Sequence, residues 1–265
     1  MTLITKSRMR AMLTILVAVA ALAPITARAQ VPATWDHYKV YVASTPAPPP
    51  PFPVLITDQF TPTAVQHFVN PLQMWMNPVE KTVLSTHQTF PISDPITHYS
   101  WWPISPQPFA ATVTATNQFG DQTLNVHDGV FLLNPALKNE QGPPPARNHY
   151  KCYLCDGATI SVPLQLVDQF DTWQTNLLIP RFFCNPAMKQ DPTGTYPIVD
   201  PNQHYICYEF QPYDPGQFSA TFSDQFVPNA PIFMGPAQWI CVPTIKQSVV
   251  GTNKNTWGKL KMLYR

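Results

Sequence analysis

The chain has 265 residues with 32 prolines, only 12% charged residues and a formal net charge of +1, against roughly 25% charge in an average globular protein. No basic stripe runs through its body, which argues against a nucleic-acid partner, since phosphate backbones demand clustered lysine and arginine. With 45% hydrophobic residues the chain carries enough apolar mass for ordinary packed cores, and disorder throughout is excluded.

Residues 1–29 have the layout of a secretory signal peptide. Lys6, Arg8 and Arg10 precede an apolar stretch from Ala11 to Ala23, and Pro24 and Ala27-Arg28-Ala29 mark a cleavage site before Gln30. The stretch is too short to span a bilayer, and no second apolar run follows. The expectation is a mature chain in the periplasm or outside the cell, with no membrane span.

The rest of the chain repeats. Four segments open on His-Tyr, at His37-Tyr38, His98-Tyr99, His149-Tyr150 and His204-Tyr205. Each then carries an acid or amide followed by Gln-Phe, at Asp58-Gln59-Phe60, Asn117-Gln118-Phe119, Asp168-Gln169-Phe170 and Asp224-Gln225-Phe226. Each closes on Pro-x-x-Lys, ending at Lys81, Lys138, Lys189 and Lys246. Recurrence at a fixed period signals a structural unit used several times.

The first and third units share Asn-Pro before the lysine, and the second and fourth share an upstream Asp-Pro-x-x-His. That pairing points to two tandem domains at 30–140 and 148–247, separated by a proline-rich linker at 141–147 and followed by a basic tail at 248–265. Residues 46–53 form a second proline cluster, read as a surface loop inserted in the first unit. Apolar residues alternate through Phe52, Val54, Ile56, Asp58 and Phe60, and through Val162, Leu164, Leu166, Asp168 and Phe170, which is the period of a strand. Prolines at this density break helices and are tolerated at strand ends and edges. The expected fold class is therefore all-β: two tandem small β-sandwich or barrel domains, each built from two pseudo-twofold-related units of roughly 40–50 residues.

All five cysteines lie in the second half. Alignment on the repeat puts Cys152 opposite Val40, Cys184 opposite Met76, Cys207 opposite Trp101 and Cys241 opposite Leu133. Joint replacement by apolar residues is the pattern of two disulfides, with three connectivities open. Cys155 remains as an extra thiol, either buried or bonded to a partner. Cys152-Tyr-Leu-Cys155 begins on a strand, whereas redox Cys-x-x-Cys sites sit at helix starts that lower the thiol pKa.

The segments HYKCY, VDQF, FFCNPAMK, HYICY, SDQF and WICVPTIK resemble a family of exported bacterial tandem domains of unknown function. The resemblance covers Asn148 to Gln247 and, without the cysteines, Asp36 to Asn139. It implies a secreted, cysteine-bonded domain and supplies no catalytic residues.

Nothing in the chain spells a standard catalytic constellation, so no catalytic residue, metal ligand or cofactor is assigned. The four repeated histidines suggest metal, yet at most two could meet within one domain, and a histidine bonded to backbone at a strand end suits them better. Asp58, Asp168 and Asp224 face the core side, but Asn117 in the same place can accept a turn hydrogen bond and cannot act as a base, so the repeated role is structural. The closing lysines are expected to be solvated or to cap a carbonyl. The leading function is an exported, noncatalytic binding or surface-architecture module, its partner a polysaccharide or an envelope protein. Trp35, Trp75, Trp102, Trp173 and Trp257 are the candidate binding aromatics, since flat apolar faces stack on sugar rings and partner surfaces, with burial in the core as the alternative for each of them. Two rivals remain: a secreted hydrolase with two carboxylates in an inter-domain cleft, and a metal-binding exported protein.

Overall fold

The computed structural model describes residues 31–139 and 145–251. The expected signal peptide, most of the linker and residues 252–265 of the expected tail, Trp257 included, lie outside the described residues.

Every element is a strand. The first unit contributes β1 (His37–Ser44), β2 (Val54–Asp58), β3 (Val65–His67), β4 (Met74–Val83) and β5 (Gln88–Phe90). The second contributes β6 (His98–Gln107), β7 (Ala111–Asn117) and β8 (Gly120–Lys138), and the third β9 (His149–Gly157), β10 (Val162–Val167), β11 (Thr172–Asp191) and β12 (Gly194–Tyr196). The fourth adds β13 (His204–Asp214), β14 (Phe218–Ser223) and β15 (Ala230–Gly251). The all-β expectation holds, and all strands join one antiparallel sheet. β15 runs four residues past the expected end of the second domain, because residues 248–251 pair with β7.

The head and closing strands of the four units form a closed ring, β1-β4-β6-β8-β9-β11-β13-β15 and back to β1. Two of its seams, β8 with β9 and β15 with β1, join the halves that the repeat divides at 141–147. Closure leaves these strands no free edge, which is the physical advantage of a barrel over an open sheet. The Asn-Pro shared by units one and three is also present in unit two, at Asn134-Pro135, so the units are closer to four equivalents than to two pairs.

Each closing strand changes partners along its length. Its middle lies in the ring, while its end pairs with the second strand of the unit diametrically opposite: β4 with β10, β8 with β14, β11 with β2 and β15 with β7. The change falls at the repeated proline. Pro78, Pro135, Pro186 and Pro243 each lie opposite the head tyrosine, at Tyr38, Tyr99, Tyr150 and Tyr205, and on their other flank one partner strand has ended before the next begins. A residue without an N–H suits the one place where the strand has no partner to receive it.

The two faces of the ring carry separate cores. Inside lie Tyr38, Val40, Met76, Tyr99, Trp101, Leu133, Tyr150, Tyr205 and the four half-cystines. The head tyrosines meet in a cycle of edge-on contacts, with ring centroids 5.5, 5.6, 5.2 and 5.8 Å apart around 38-99-150-205-38. Such edge-to-face geometry sets the positive rim of one ring against the negative face of the next. Outside, a larger cluster that includes Tyr41, Trp75, Trp102, Tyr153 and Tyr208 is covered by the hairpins.

Candidate functional site

The repeated motif acts between units. In each Gln-Phe segment the acid or amide first closes its own turn: Asp58, Asp168 and Asp224 accept backbone N–H groups two and three residues on, and Asn117 accepts that of Phe119. Its second polar atom reaches the fifth residue of the opposite unit's head strand. Tyr153 donates to Asp58 at 2.7 Å, Tyr41 to Asp168 at 2.6 Å and Trp102 to Asp224 at 2.8 Å, while Asn117 donates to Tyr208 at 2.8 Å. The structural reading of the aspartates therefore stands, with a cross-link added that no local pattern conveys.

The glutamine and phenylalanine meet the preceding unit. Gln118 contacts His37 at 3.0 Å, Gln169 contacts His98 at 3.4 Å and Gln225 contacts His149 at 2.7 Å, while Gln59 accepts from Lys246. Lys81, Lys138, Lys189 and Lys246 lie over Phe119, Phe170, Phe226 and Phe60 at 4.9, 4.5, 4.4 and 4.9 Å, positions that favour cation–π attraction. The expectation that these lysines are solvated or cap carbonyls is corrected: Lys81, Lys138 and Lys189 are buried, because the aromatic ring of the next unit closes over each ammonium. Burial holds Lys81 well below its usual range and brings Lys138 and Lys246 down to about 8.

The four head histidines are buried, and burial disfavours their charged form. His98 and His204 donate Nδ1–H to the carbonyls of Ile96 and Asn202, at 2.7 and 2.8 Å, as expected of strand-end histidines, whereas His37 and His149 pair with the side chains of Gln118 and Gln225 instead. Burial, reinforced by a neighbouring lysine, lowers His98 and His204 to about 4, and His149 to about 3. Below pH 6.5 the unfolded chain therefore binds protons that the folded chain refuses. The stability these residues contribute is complete above pH 6.5 and is lost as the pH falls toward 4. Denaturant unfolding at pH 4.5 is expected to show a loss of about 2 kcal/mol per histidine relative to pH 7.5. Asp36 and Asp171, raised mainly by burial, offset a small part. An unchanged midpoint would mean that the histidines are solvated.

The cysteine bonds follow the register. Cys207 lies directly opposite Cys241 and bonds to it, and Cys152 bonds to Cys184 across β9 and β11. The equivalent facing pairs in the first half are Val40 with Met76 and Trp101 with Leu133. Cys155 is free and buried in the outer cluster, its thiol pushed up by burial.

Among the described residues no group of three His, Cys, Asp or Glu side chains is placed to hold a metal ion. Two carboxylates do meet, Asp171 and Asp214, but both are ion-paired to the buried Lys39, at 2.7 Å for Asp171. Asp214 also accepts the backbone N–H of Gly216. Their oxygens serve to tie the first, third and fourth units together.

Of the candidate aromatics, Trp75 and Trp102 are fully buried in the outer cluster and offer no face to a ligand. The reason is the sheet's second covering: head- and closing-strand residues that point out of the ring are roofed by hairpins. Trp173 is half-buried and donates to the carbonyl of Pro212 at 3.0 Å. Trp35 is half-buried and lines a cleft of about 660 Å³ with His37, Gln88, Phe90, Asn117 and Gln118. The cleft lies where the first and second units meet. A shallower groove of about 480 Å³ near Val42, Phe218 and Phe233 is mostly apolar.

Residues 97–243 match the model of a family described as a repeat of unknown function (DUF7450). The chain belongs to this family. The match runs from the head of the second unit to the closing strand of the fourth, across the segment between the halves. No curated protein and no solved structure matches the chain. The two disulfides, with no described helix long and apolar enough to cross a membrane, are compatible with export.

Proposed function

We propose that this member of the repeat family is an exported, noncatalytic binding module that holds a polysaccharide in the Trp35 cleft. The observation that carries the reading is the cleft's composition: a half-buried indole and Phe90 beside the amides of Gln88 and Gln118 and the hydroxyl of Thr89. Aromatic faces stack on the apolar face of a sugar ring, and convergent amides and hydroxyls satisfy its hydroxyl groups. The surrounding ring supports this role. It is cross-linked between opposite units by the Gln-Phe aspartates and within units by disulfides, so a ligand would meet a preorganised surface with little ordering left to oppose binding.

The test is co-sedimentation of the mature protein with insoluble polysaccharides and with isolated cell envelope, beside Trp35→Ala and Trp173→Ala. Saturable binding that Trp35→Ala abolishes and Trp173→Ala keeps is the expected result. Binding insensitive to Trp35→Ala would place recognition elsewhere on the surface.

A further inference from the structure

The four inter-unit sites share a design, and one of them lacks a component. Lys138, Lys189 and Lys246 each feel the aspartate of the next unit's Gln-Phe segment, Asp168, Asp224 and Asp58 respectively, and Lys189 has Asp191 at 3.1 Å as well. Beside Lys81 the corresponding residue is Asn117. Lys81 is fully buried, its ammonium 2.8 Å from His37 Nε2 and 4.4 Å from the centre of Phe90. Among the described residues no carboxylate forms an ion pair with it. With no counter-charge, burial disfavours the ammonium form of Lys81 and holds it well below its usual range, and a carboxylate brought within reach would favour that form again.

The same site is the one that opens into the Trp35 cleft. His37, Phe90, Asn117 and Gln118, which surround the lysine, also line the cavity. Gln118 Nε2 is a buried donor with no acceptor. The cleft thus has a buried amine with no carboxylate paired to it one residue behind its wall, and within that wall the buried, unpartnered N–H of Gln118. Both call for the same chemistry, an anionic acceptor, whereas a neutral sugar would answer only the donor.

We propose that the ligand of the Trp35 cleft carries a carboxylate, as a polyuronate does, seated against His37 and Gln118 so that it supplies the negative charge that Asn117 withholds from Lys81. This rests on the cleft being the polysaccharide site proposed above, and it narrows the ligand to an acidic glycan.

The experiment is isothermal titration of the mature protein with an oligogalacturonate and with the same oligomer fully methyl-esterified. It is repeated on Asn117→Asp, which restores the missing acid, and Lys81→Met, which removes the amine. Asp at position 117 can accept from Tyr208 as Asp168 does from Tyr41, so Asn117→Asp is expected to fold and to melt at or above the wild-type temperature. The free acid is expected to bind the wild type roughly tenfold or more tighter than the ester, the scale of one hydrogen bond to a charged group. Both variants are expected to lose that preference. Equal binding of acid and ester by the wild type would overturn the carboxylate while leaving the polysaccharide reading in place. A preference kept by either folded variant would overturn the role of Lys81. Failure of the wild type to bind either oligomer would overturn the acidic-glycan proposal, and loss of binding in the wider polysaccharide assay would remove the reading beneath it.

Discussion

Residues 148–251 produced alone are expected not to form a folded monomer. Excision removes the ring partners of both terminal strands, β8 from β9 and β1 from β15, and leaves two long edges. It also strips β10 of β4 and β14 of β8. The hydrogen bonds of Tyr41 to Asp168 and of Lys39 to Asp171 go with the first half, so Asp168, Asp171 and Asp214 lose buried partners, each a penalty of roughly 1–3 kcal/mol. Against a net folding free energy of about 5–15 kcal/mol for a typical protein, that sum is decisive. One rescue is available: two excised halves together contain four units and could close the ring as a homodimer with a twofold axis. Size-exclusion chromatography with circular dichroism checks the outcome. An unfolded chain or an obligate dimer agrees with the closed ring, and a cooperatively folded monomer would show that the halves are independent domains.

Removal of the disulfides gives the second large effect. The bonds close segments with sequence separations of 32 and 34 residues, and each restricts the unfolded chain by about 4 kcal/mol in the loop-entropy treatment. The replacement decides what is added to that. Cys152→Val with Cys184→Met installs the facing pair that unit one carries at the same register, Val40 with Met76, and keeps the ring interior filled. Cys152→Ala with Cys184→Ala leaves a cavity among Tyr150, Tyr205 and Phe182, and cavities in tight cores destabilise beyond the lost transfer energy. Equilibrium denaturation is expected to place the Val/Met variant about 3–4 kcal/mol below the wild type, and the double alanine at least 1 kcal/mol lower still. Equal losses in the two variants would mean that the interior is not tightly packed around the bond.

Much of the framework was legible in the chain. Alternation of apolar residues marks the strands because a strand has a period of two whatever surrounds it. Self-comparison marks the units, and it also set Cys152, Cys184, Cys207 and Cys241 opposite apolar residues that prove to be facing pairs, since a bonded pair and a packed pair occupy the same space. The structural role of the aspartates followed from Asn117 alone. Which of the candidate tryptophans are buried, and the burial of Lys81, Lys138 and Lys189, were not legible. A tryptophan or lysine on the outward face of a strand looks solvent-bound until a hairpin from another unit is seen to cover it.

The sequence by itself determined the local content of this protein: strands, four repeats, turn-closing acids, and a proline in each closing strand. Only the tertiary structure decided which copy touches which. Identical motifs carry no label for their partner, and the assignment of each glutamine to the preceding unit and each aspartate to the opposite one comes from the curvature that closes eight strands into a ring. For the same reason the change from aspartate to Asn117, visible at once in the alignment of the repeats, acquires meaning only when Lys81 is found buried beside it, with no carboxylate among the described residues ion-paired to it.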